Sequence, residues 1–237
     1  MALDEETRVR LSGVSTATLT TCLFKRGFRN VCLQDVHPVG PAQPAMVGEA
    51  FTLRLVPARE DLDTMAVYAD PDHPQRKAIE TCPAGHVLVI DSRGDARGAS
   101  AGDILVTRLM VRGVAGIVTD GGFRDSPGIA RLGFPAYHRR PSPPTGPIWH
   151  HAADIGLPIA CGGVAVYPGD VMVGDAEGVV CIPAHLAAEV AAEAAEMTLY
   201  ETFVEERVRA GDPLLGLYPA SEASRAAFAL WRRSRGR

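Results

Sequence analysis

The chain has 237 residues, with 24 Lys and Arg against 28 Asp and Glu, and 46% of its residues are hydrophobic. This composition is typical of a globular protein that can bury a sizeable core, and it excludes a disordered or fibrous chain. The apolar runs are shorter than the roughly 18 residues that a membrane-spanning helix requires. A formal charge of −4 offers no basic face for nucleic acid, and the acidic start lacks the features of a secretory signal. We therefore expect a cytoplasmic protein without a membrane or direct nucleic-acid partner.

The five cysteines are scattered and show none of the paired spacing that zinc or disulfide sites use. We expect reduced thiols that are mostly buried, at Cys22, Cys32, Cys82, Cys161 and Cys181.

The first half of the chain predicts helices and strands in alternation. A Ser-Thr cap signal followed by spaced apolar residues predicts a helix over 15–26, and alternating hydrophobicity predicts a strand over 50–56. The segments 61–69 and 74–81 are predicted to be helical. The apolar run 86–91, entered and left through turn residues, is the clearest buried strand.

A strand–helix–strand unit follows. A helix is predicted over 103–112, between the small residues of 98–102 and a strand over 115–120, and such a unit implies parallel strands with a right-handed crossover. A short helix is predicted near 126–132 and a strand over 134–137.

The last third of the chain changes in character. Four prolines predict a loop over 139–147, and short apolar runs between Gly-rich turns predict antiparallel strands over 157–183. An Ala/Glu-rich helix is predicted over 184–210 and a solvated basic tail over 232–237. These elements indicate one α/β domain, 1–237, with helical N- and C-terminal additions.

Two features suggest chemistry only weakly. Gly98, Ser100 and Gly102 match the letters of a G-x-S-x-G nucleophile elbow, but the preceding strand ends at residue 91 and the intervening residues are polar. We favour small residues for close packing or for backbone approach to a ligand. His150 and His151 are expected at the start of a short helix, as exposed residues or, alternatively, as a pair that contacts substrate.

The two ends of the predicted crossover carry the more informative residues. Because the start of a helix and the end of an adjacent parallel strand meet at one sheet edge, Asp103 should lie near Arg124 and Asp125. The free backbone N–H groups of residues 102–105 suit a carboxylate, and Arg124 adds a permanent cation. Asp103 and Asp125 offer oxygen ligands for Mg²⁺. The alternatives are a helix cap for Asp103 and a surface ion pair for Arg124 and Asp125.

Asp103, twenty intervening residues and then Arg124-Asp125 form a pattern that resembles the signature of the RraA-like family. This family includes 4-hydroxy-4-methyl-2-oxoglutarate aldolase and the regulator of ribonuclease E activity. The resemblance extends over about 11–218 and includes the Gly-rich stretches 98–122, 162–164, 168–170 and 174–180. It implies a compact α/β/β sandwich of the swivelling-domain type, assembled as a homotrimer or a dimer of trimers.

The resemblance also implies an activity and roles for individual residues. The activity is a lyase reaction, dependent on Mg²⁺ or Mn²⁺, that cleaves a small 2-oxo acid through a pyruvate enolate, with oxaloacetate decarboxylation at the same site. Arg124 and Asp103 would be catalytic, and Asp125 would bind the metal. Substrate would contact Gly102, Asp103, Ile104, Leu105 and Arg124. The alternative function is that of a regulator that binds and inhibits an enzyme of the ribonuclease E type.

Two departures from the family bear on substrate and assembly. Aldolase members carry a loop lysine where this chain has none over 147–151, and its two lysines, Lys25 and Lys77, are distant from the predicted site in sequence. The implied enolate chemistry needs no Schiff-base lysine, and the positions of these two lysines are consistent with that. Members also reach a neighbouring subunit's site with a glutamate of the C-terminal helix, for which this chain offers Glu201, Glu205 and Glu206.

Overall fold

The computed structural model describes residues 3–40 and 44–235. Within these ranges the α-helices are α1 Glu5–Ser12, α2 Thr16–Lys25, α3 Pro74–Thr81, α4 Asp103–Val111, α5 Ser126–Arg131, α6 Ala187–Arg209 and α7 Glu222–Ser234. The strands are β1 His37–Pro38, β2 Met46–Pro57, β3 His86–Asp91, β4 Ala99–Ala101, β5 Gly116–Thr119, β6 Gly122–Phe123, β7 Ala136–His138, β8 Arg140–Pro141, β9 His150–Ile155, β10 Ile159–Cys161, β11 Val164–Val166, β12 Val171–Gly174 and β13 Val179–Ile182. Short 3₁₀ turns lie at Met65–Ala69, Gly146–Ile148 and Ala184–Leu186.

Eight strands form the main sheet, in the order β1-β7-β5-β3-β2-β12-β13 with β9 paired to β2. The central pairs β2–β3, β3–β5 and β5–β7 are parallel, as the helical crossovers between them require. The remaining pairs of this sheet are antiparallel. Because β2 is 12 residues long, its first part pairs with β12 and its last part with β9.

Helices and a hairpin cover this sheet. Leu88 and Ile90 of β3 pack with α4 and α5, whereas the alternate residues Val87 and Val89 pack with the β10–β11 hairpin. This alternation follows from the period of two in a strand. Helices α1, α2 and α6 pack together over β12 and β13. Both faces of β3 are therefore buried, which explains why residues 87–90 are a continuous hydrophobic run.

A second, three-stranded parallel sheet has the order β4-β6-β8. Its strands are two or three residues long. It is the element that positions the candidate site.

The fold confirms the predicted α/β class with helical N- and C-terminal segments. The helices predicted over 74–81 and 103–112 and the strand over 86–91 are present as α3, α4 and β3. The antiparallel pairing predicted for 157–183 is present as β10–β11 and β12–β13. The five cysteines are free thiols, and all except the half-buried Cys32 are buried.

Other predictions were wrong. His150 and His151 lie in strand β9, not in a helix, because they pair with the end of β2, and His150 is buried. In the segment 61–69 only Met65–Ala69 is helical, and it forms a 3₁₀ helix, whereas residues 61–64 are turn and irregular structure. The basic tail is exposed over 233–235, as predicted, although helix α7 continues to Ser234 and Arg232 pairs with Glu196 of α6. Residues 236–237 of that tail lie outside the described residues.

In the part of the chain that the structure describes, the helices are too short or too polar to cross a membrane.

Candidate active site

The candidate site begins where β4 and β6 end. These strands run parallel, with Ala101 opposite Phe123, and the backbone N–H of Arg124 donates to the carbonyl of Ala101 over 3.1 Å. Helix α4 begins two residues after β4, and Arg124 and Asp125 directly follow β6. The sheet-edge argument therefore brings the predicted residues together, although it does so through two short strands that the sequence did not reveal.

Helix α4 presents its N-terminus at this edge. Its N-cap is Gly102, which has no side chain to cap the first N–H groups. The N–H groups of the first turn have no acceptor within the helix, because their carbonyl partners would lie before its start. Unpaired N–H groups and the positive end of the helix dipole favour an anion here.

Arg124 and Asp125 form a contact pair next to this helix end. The Nε of Arg124 lies 3.0 Å from Oδ2 of Asp125, and both side chains are partly exposed. The surface ion pair that sequence reasoning offered as an alternative is thus present. The guanidinium group of Arg124 can still donate to a ligand, because only its Nε donates to Asp125.

Asp103 is the first residue of α4 and its carboxyl group lies against α5. A Cβ placed on Gly128 would lie 2.9 Å from Oδ2 of Asp103, so the glycine leaves room for this carboxylate. The predicted alternative for Asp103 was a helix cap. The N-cap position belongs to Gly102 instead.

A cavity of about 230 Å³ joins these groups. All six residues predicted for the site line it: Gly102, Asp103, Ile104, Leu105, Arg124 and Asp125. Its volume lies below the ~300–1,000 Å³ of sites for drug-sized ligands, which suits a small acid.

Sequence reasoning missed another part of the cavity wall. Tyr68, Gln75, Arg76, Thr145 and Gly146 also line the cavity. The sequence placed residues 74–81 on a helix, but no motif connected that helix to the Asp103 region. Only the packing of α3 beside α4 does so.

The electrostatic environment of the cavity is visible at Tyr68. Burial raises the pKa of Tyr68, and the guanidinium groups of Arg76 and Arg124 both oppose this shift. Two cations therefore act on the same phenol group.

Ser100 does not form a nucleophile site. It is buried, and its Oγ lies 2.7 Å from Oγ of Ser92 and 2.9 Å from Oγ1 of Thr119. This closed hydroxyl cluster holds neighbouring strands together, in keeping with our interpretation of the G-x-S-x-G letters.

The paired histidines have protein partners next to the cavity. The buried His150 contacts the carbonyl of Gly98 through Nε2 (3.1 Å), and burial lowers its pKa. His151 contacts Oδ1 of Asp63 through Nδ1 over 2.7 Å. Neither histidine lines the 230 Å³ cavity.

The charged residues considered for other roles also have partners within the chain. Lys25 pairs with Glu193 and Lys77 with Asp72. The three candidate glutamates of α6 have different partners: Glu201 accepts from Thr18, Glu205 pairs with Arg209, and Glu206 accepts from Trp231 and pairs with Arg235.

The fold and the cavity define an α/β protein with a small cavity at the edge of parallel strands, lined by a helix N-terminus and two arginines. The family model described as "RraA-like: Aldolase/RraA" matches residues 16–181. The chain therefore belongs to the RraA-like family.

Some relatives of this chain are named as aldolases, and a solved structure is described as a member of the RraA inhibitor family. A putative 4-hydroxy-4-methyl-2-oxoglutarate aldolase of Halalkalibacterium halodurans is 41% identical over 111 residues, which cover 45% of this chain and 50% of that protein. The chain thus aligns with only half the length of that relative. The 4-hydroxy-4-methyl-2-oxoglutarate aldolase of Thermus thermophilus is 30% identical over 65% of this chain and 92% of its own length.

Among solved structures, the chain is similar to Streptomyces coelicolor RraAS2, described as an unusual member of the RNase ES inhibitor RraA protein family. The TM-score is 0.75 at 31% identity, and the similarity covers 86% of this chain and 98% of that chain.

Proposed function

We propose that this protein is a divalent-metal-dependent lyase that cleaves a small 2-oxo acid to release pyruvate. The proposed reactions are aldol cleavage of 4-hydroxy-4-methyl-2-oxoglutarate and decarboxylation of oxaloacetate. The observation that carries this proposal is the cavity in which Asp103, Arg124, Asp125 and the first turn of α4 meet. The names of the aldolase relatives support it.

The residues present fit a hard divalent cation. Asp103 and Asp125 offer carboxylate oxygens at the same cavity, and Mg²⁺ characteristically uses one or two carboxylates and keeps several waters. Among the described residues no group of three or more His, Cys, Asp or Glu is arranged to hold an ion. A site with few protein ligands is therefore the appropriate expectation, with Asp125 as the direct ligand.

The chain's own groups would bind and orient the substrate. The first-turn N–H groups of α4 would bind the carboxylate next to the 2-oxo group. Arg124 would donate to the 2-oxo oxygen, where negative charge grows as the enolate forms. When bound, the divalent ion supplies Lewis-acid stabilisation of that same charge.

Proton transfer would fall to Asp103. In the aldol cleavage, the C3–C4 bond breaks, its electron pair enters the pyruvate enolate, and the C4 hydroxyl proton passes through a water to Asp103. That proton then returns to C3 of the enolate and gives pyruvate. In oxaloacetate, the bond to the departing CO₂ breaks and leaves the same enolate, so one site serves both reactions.

The test is pyruvate release from both substrates, coupled to lactate dehydrogenase, with added Mg²⁺ and with EDTA. Arg124→Ala should lower the rate about 100-fold or more, as the loss of an oxyanion-stabilising group does. Asp125→Asn should have a similar effect, because it removes the charged ligand of the proposed metal. Arg108→Ala is the control, because Arg108 is an exposed residue of α4 that pairs with Glu80 of α3 and does not line the cavity. Full activity in both site variants, or activity that EDTA leaves unchanged, would refute the proposal.

A second candidate function is inhibition of an enzyme of the ribonuclease E type. The similarity to RraAS2 over 86% of this chain favours it. Such a role would use an outer surface, so inhibition of the ribonuclease should persist in Asp125→Asn. A homotrimer or a dimer of trimers is the proposed assembly, which light scattering of the purified protein would test.

A further inference from the structure

One part of the cavity wall has no role in the proposed chemistry. Tyr68 and two residues of α3, Gln75 and Arg76, line the same cavity as Arg124 and Asp125. A ligand held at Arg124 by its 2-oxo acid end would have this wall as part of its surroundings. The side chains of this wall would therefore contact the end of the substrate that is distant from its 2-oxo acid group.

Arg76 is a cation that has no carboxylate partner. Its guanidinium carbon lies 4.3 Å from the centroid of the Tyr68 ring. In the described ranges 3–40 and 44–235, no Asp or Glu forms a salt bridge with it. Arg124 differs, because one of its nitrogens already contacts Asp125. Since a guanidinium group keeps its charge at every physiological pH, Arg76 offers a permanent charge and a planar set of donors to the cavity.

The position of Arg76 is held from two sides. Gln75 is 7% exposed, and its Nε2 donates to the carbonyl of Ser100 over 2.7 Å, which ties the start of α3 to β4. Oε1 of Gln75 is buried and has no hydrogen-bond donor among the described residues. Tyr68 stacks under the guanidinium group and meets the His73 ring edge-on at 5.3 Å. Arg76 is thus placed before any ligand binds, which lowers the entropic cost of binding one.

The formal charges lining the cavity favour a dianion. Arg76 and Arg124 balance Asp103 and Asp125, so the residues alone are neutral. A divalent cation would leave an excess of two positive charges. A 2-oxo acid with one carboxylate neutralises half of that excess, and a 2-oxo dicarboxylate neutralises all of it.

We propose that Arg76 is the specificity-determining residue that binds the distal carboxylate of a 2-oxo dicarboxylate substrate. This inference rests on the proposed function, because it places the 2-oxo acid end at Arg124 and the first turn of α4. Arg76 does not take part in bond cleavage. It selects substrates that carry a second carboxylate.

The first test compares two ligands that differ in that carboxylate. Binding of 2-oxoglutarate and of 2-oxobutanoate is measured by calorimetry with Mg²⁺ present. The wild-type protein should prefer 2-oxoglutarate, and Arg76→Ala should weaken that ligand about 10- to 100-fold while 2-oxobutanoate changes little. Arg76→Lys keeps the charge without the planar guanidinium group, so its affinity for 2-oxoglutarate should lie between those of wild type and Arg76→Ala.

The matched control is Arg97→Ala. Arg97 also stacks on an aromatic ring, 3.9 Å from the centroid of Trp149, but it pairs with Asp95 and does not line the cavity. This variant loses the same charge and the same kind of stack, so it should bind both ligands as the wild-type protein does. A general electrostatic effect would weaken 2-oxoglutarate binding equally in Arg76→Ala and in Arg97→Ala.

A second readout separates this inference from the proposed function. Deuterium exchange of the pyruvate methyl group, followed by NMR, requires only the 2-oxo acid end of the site. The expected result has two parts: wild type and Arg76→Ala both exchange the methyl protons, and only Arg76→Ala loses 2-oxoglutarate binding. This result would support both the lyase proposal and the role of Arg76. If exchange is absent but 2-oxoglutarate binding still depends on Arg76, the lyase proposal fails and the anion subsite stands.

Three results would overturn the role of Arg76. They are equal wild-type affinity for both ligands, equal weakening of both by Arg76→Ala, and no measurable binding of 2-oxoglutarate. Each of these would leave the lyase proposal intact wherever methyl exchange is observed.

Discussion

Gly102→Ala should damage the candidate site while the fold persists. The backbone at Gly102 is extended, with φ −128° and ψ 176°, so alanine can adopt it without strain. The added Cβ would lie 3.0 Å from Cγ of Arg124 and 3.2 Å from Oδ2 of Asp125. Both distances are shorter than ordinary van der Waals contacts between such atoms. The added methyl group therefore acts on the two side chains that carry the proposed chemistry.

The structure sets the size of the expected effect. Arg124 and Asp125 are 46% and 44% exposed, so their side chains can move by a few tenths of an ångström. Stability should then change by less than about 1 kcal/mol, because the loss of a favourable N-cap residue is offset by lower entropy of the unfolded chain. Since a displacement of about 1 Å at a catalytic group can cost about 100-fold, a shift of a few tenths should lower pyruvate release about 10-fold.

The assay pairs pyruvate release with urea unfolding. Gly13→Ala is the control, because its Cβ would make only ordinary contacts, 3.6 Å from Arg10 O and 3.9 Å from Val9 O, and its φ is −98°. The control should keep wild-type activity. Unchanged activity in Gly102→Ala would refute the reasoning about the site, and a stability loss above about 2 kcal/mol would refute the claim that the neighbours can move.

Two further predictions concern the core. Gly116→Ala should destabilise the protein by about 1–3 kcal/mol in urea unfolding, because its Cβ would lie 2.8 Å from Cγ of the fully buried Met46. In a Met46→Ala background, which itself loses core packing, Gly116→Ala should cost less, and independent, additive effects would contradict the overlap. Burial, assisted by His37, lowers the pKa of His138 to about 4, so the unfolded chain binds more protons between that value and its own pKa near 6.5. The His138 contribution to stability is complete above about pH 7.5 and should fall by about 2 kcal/mol between that value and about pH 5, and an equally steep pH dependence in His138→Gln would contradict this assignment.

The sequence predicted best those elements that carry their own periodicity and end signals. Helix α3 starts with proline at its first position, and β3 is an unbroken apolar run between turns. Both were predicted within their observed bounds. Strands β4, β6 and β8 have no such signal, because two or three residues do not establish a period. Their pairing is a consequence of tertiary structure.

His150 and His151 illustrate the same limit. Their local sequence has no strand pattern, and they become a strand because the end of β2 supplies hydrogen-bonding partners. Residue 76 of the cavity wall also carries no local signal. Its place beside Arg124 depends on how α3 packs against α4, which no spacing along the chain encodes. By contrast, the nearness of Asp103 to Arg124 and Asp125 follows from the general geometry of parallel strands and was predicted.

The backbone of Asp125 explains how two adjacent side chains come to line one cavity. Neighbouring residues of a strand point to opposite faces, so a continued β6 would separate Arg124 from Asp125. Instead Asp125 is left-handed, with φ 56° and ψ 30°, and its carboxylate turns back to within 3.0 Å of Arg124 Nε. Aspartate and asparagine tolerate this conformation better than other residues with a side chain. The residue type at 125 thus serves two purposes: it ends the strand at the sheet edge, and it places a carboxylate oxygen where the proposed divalent cation would bind.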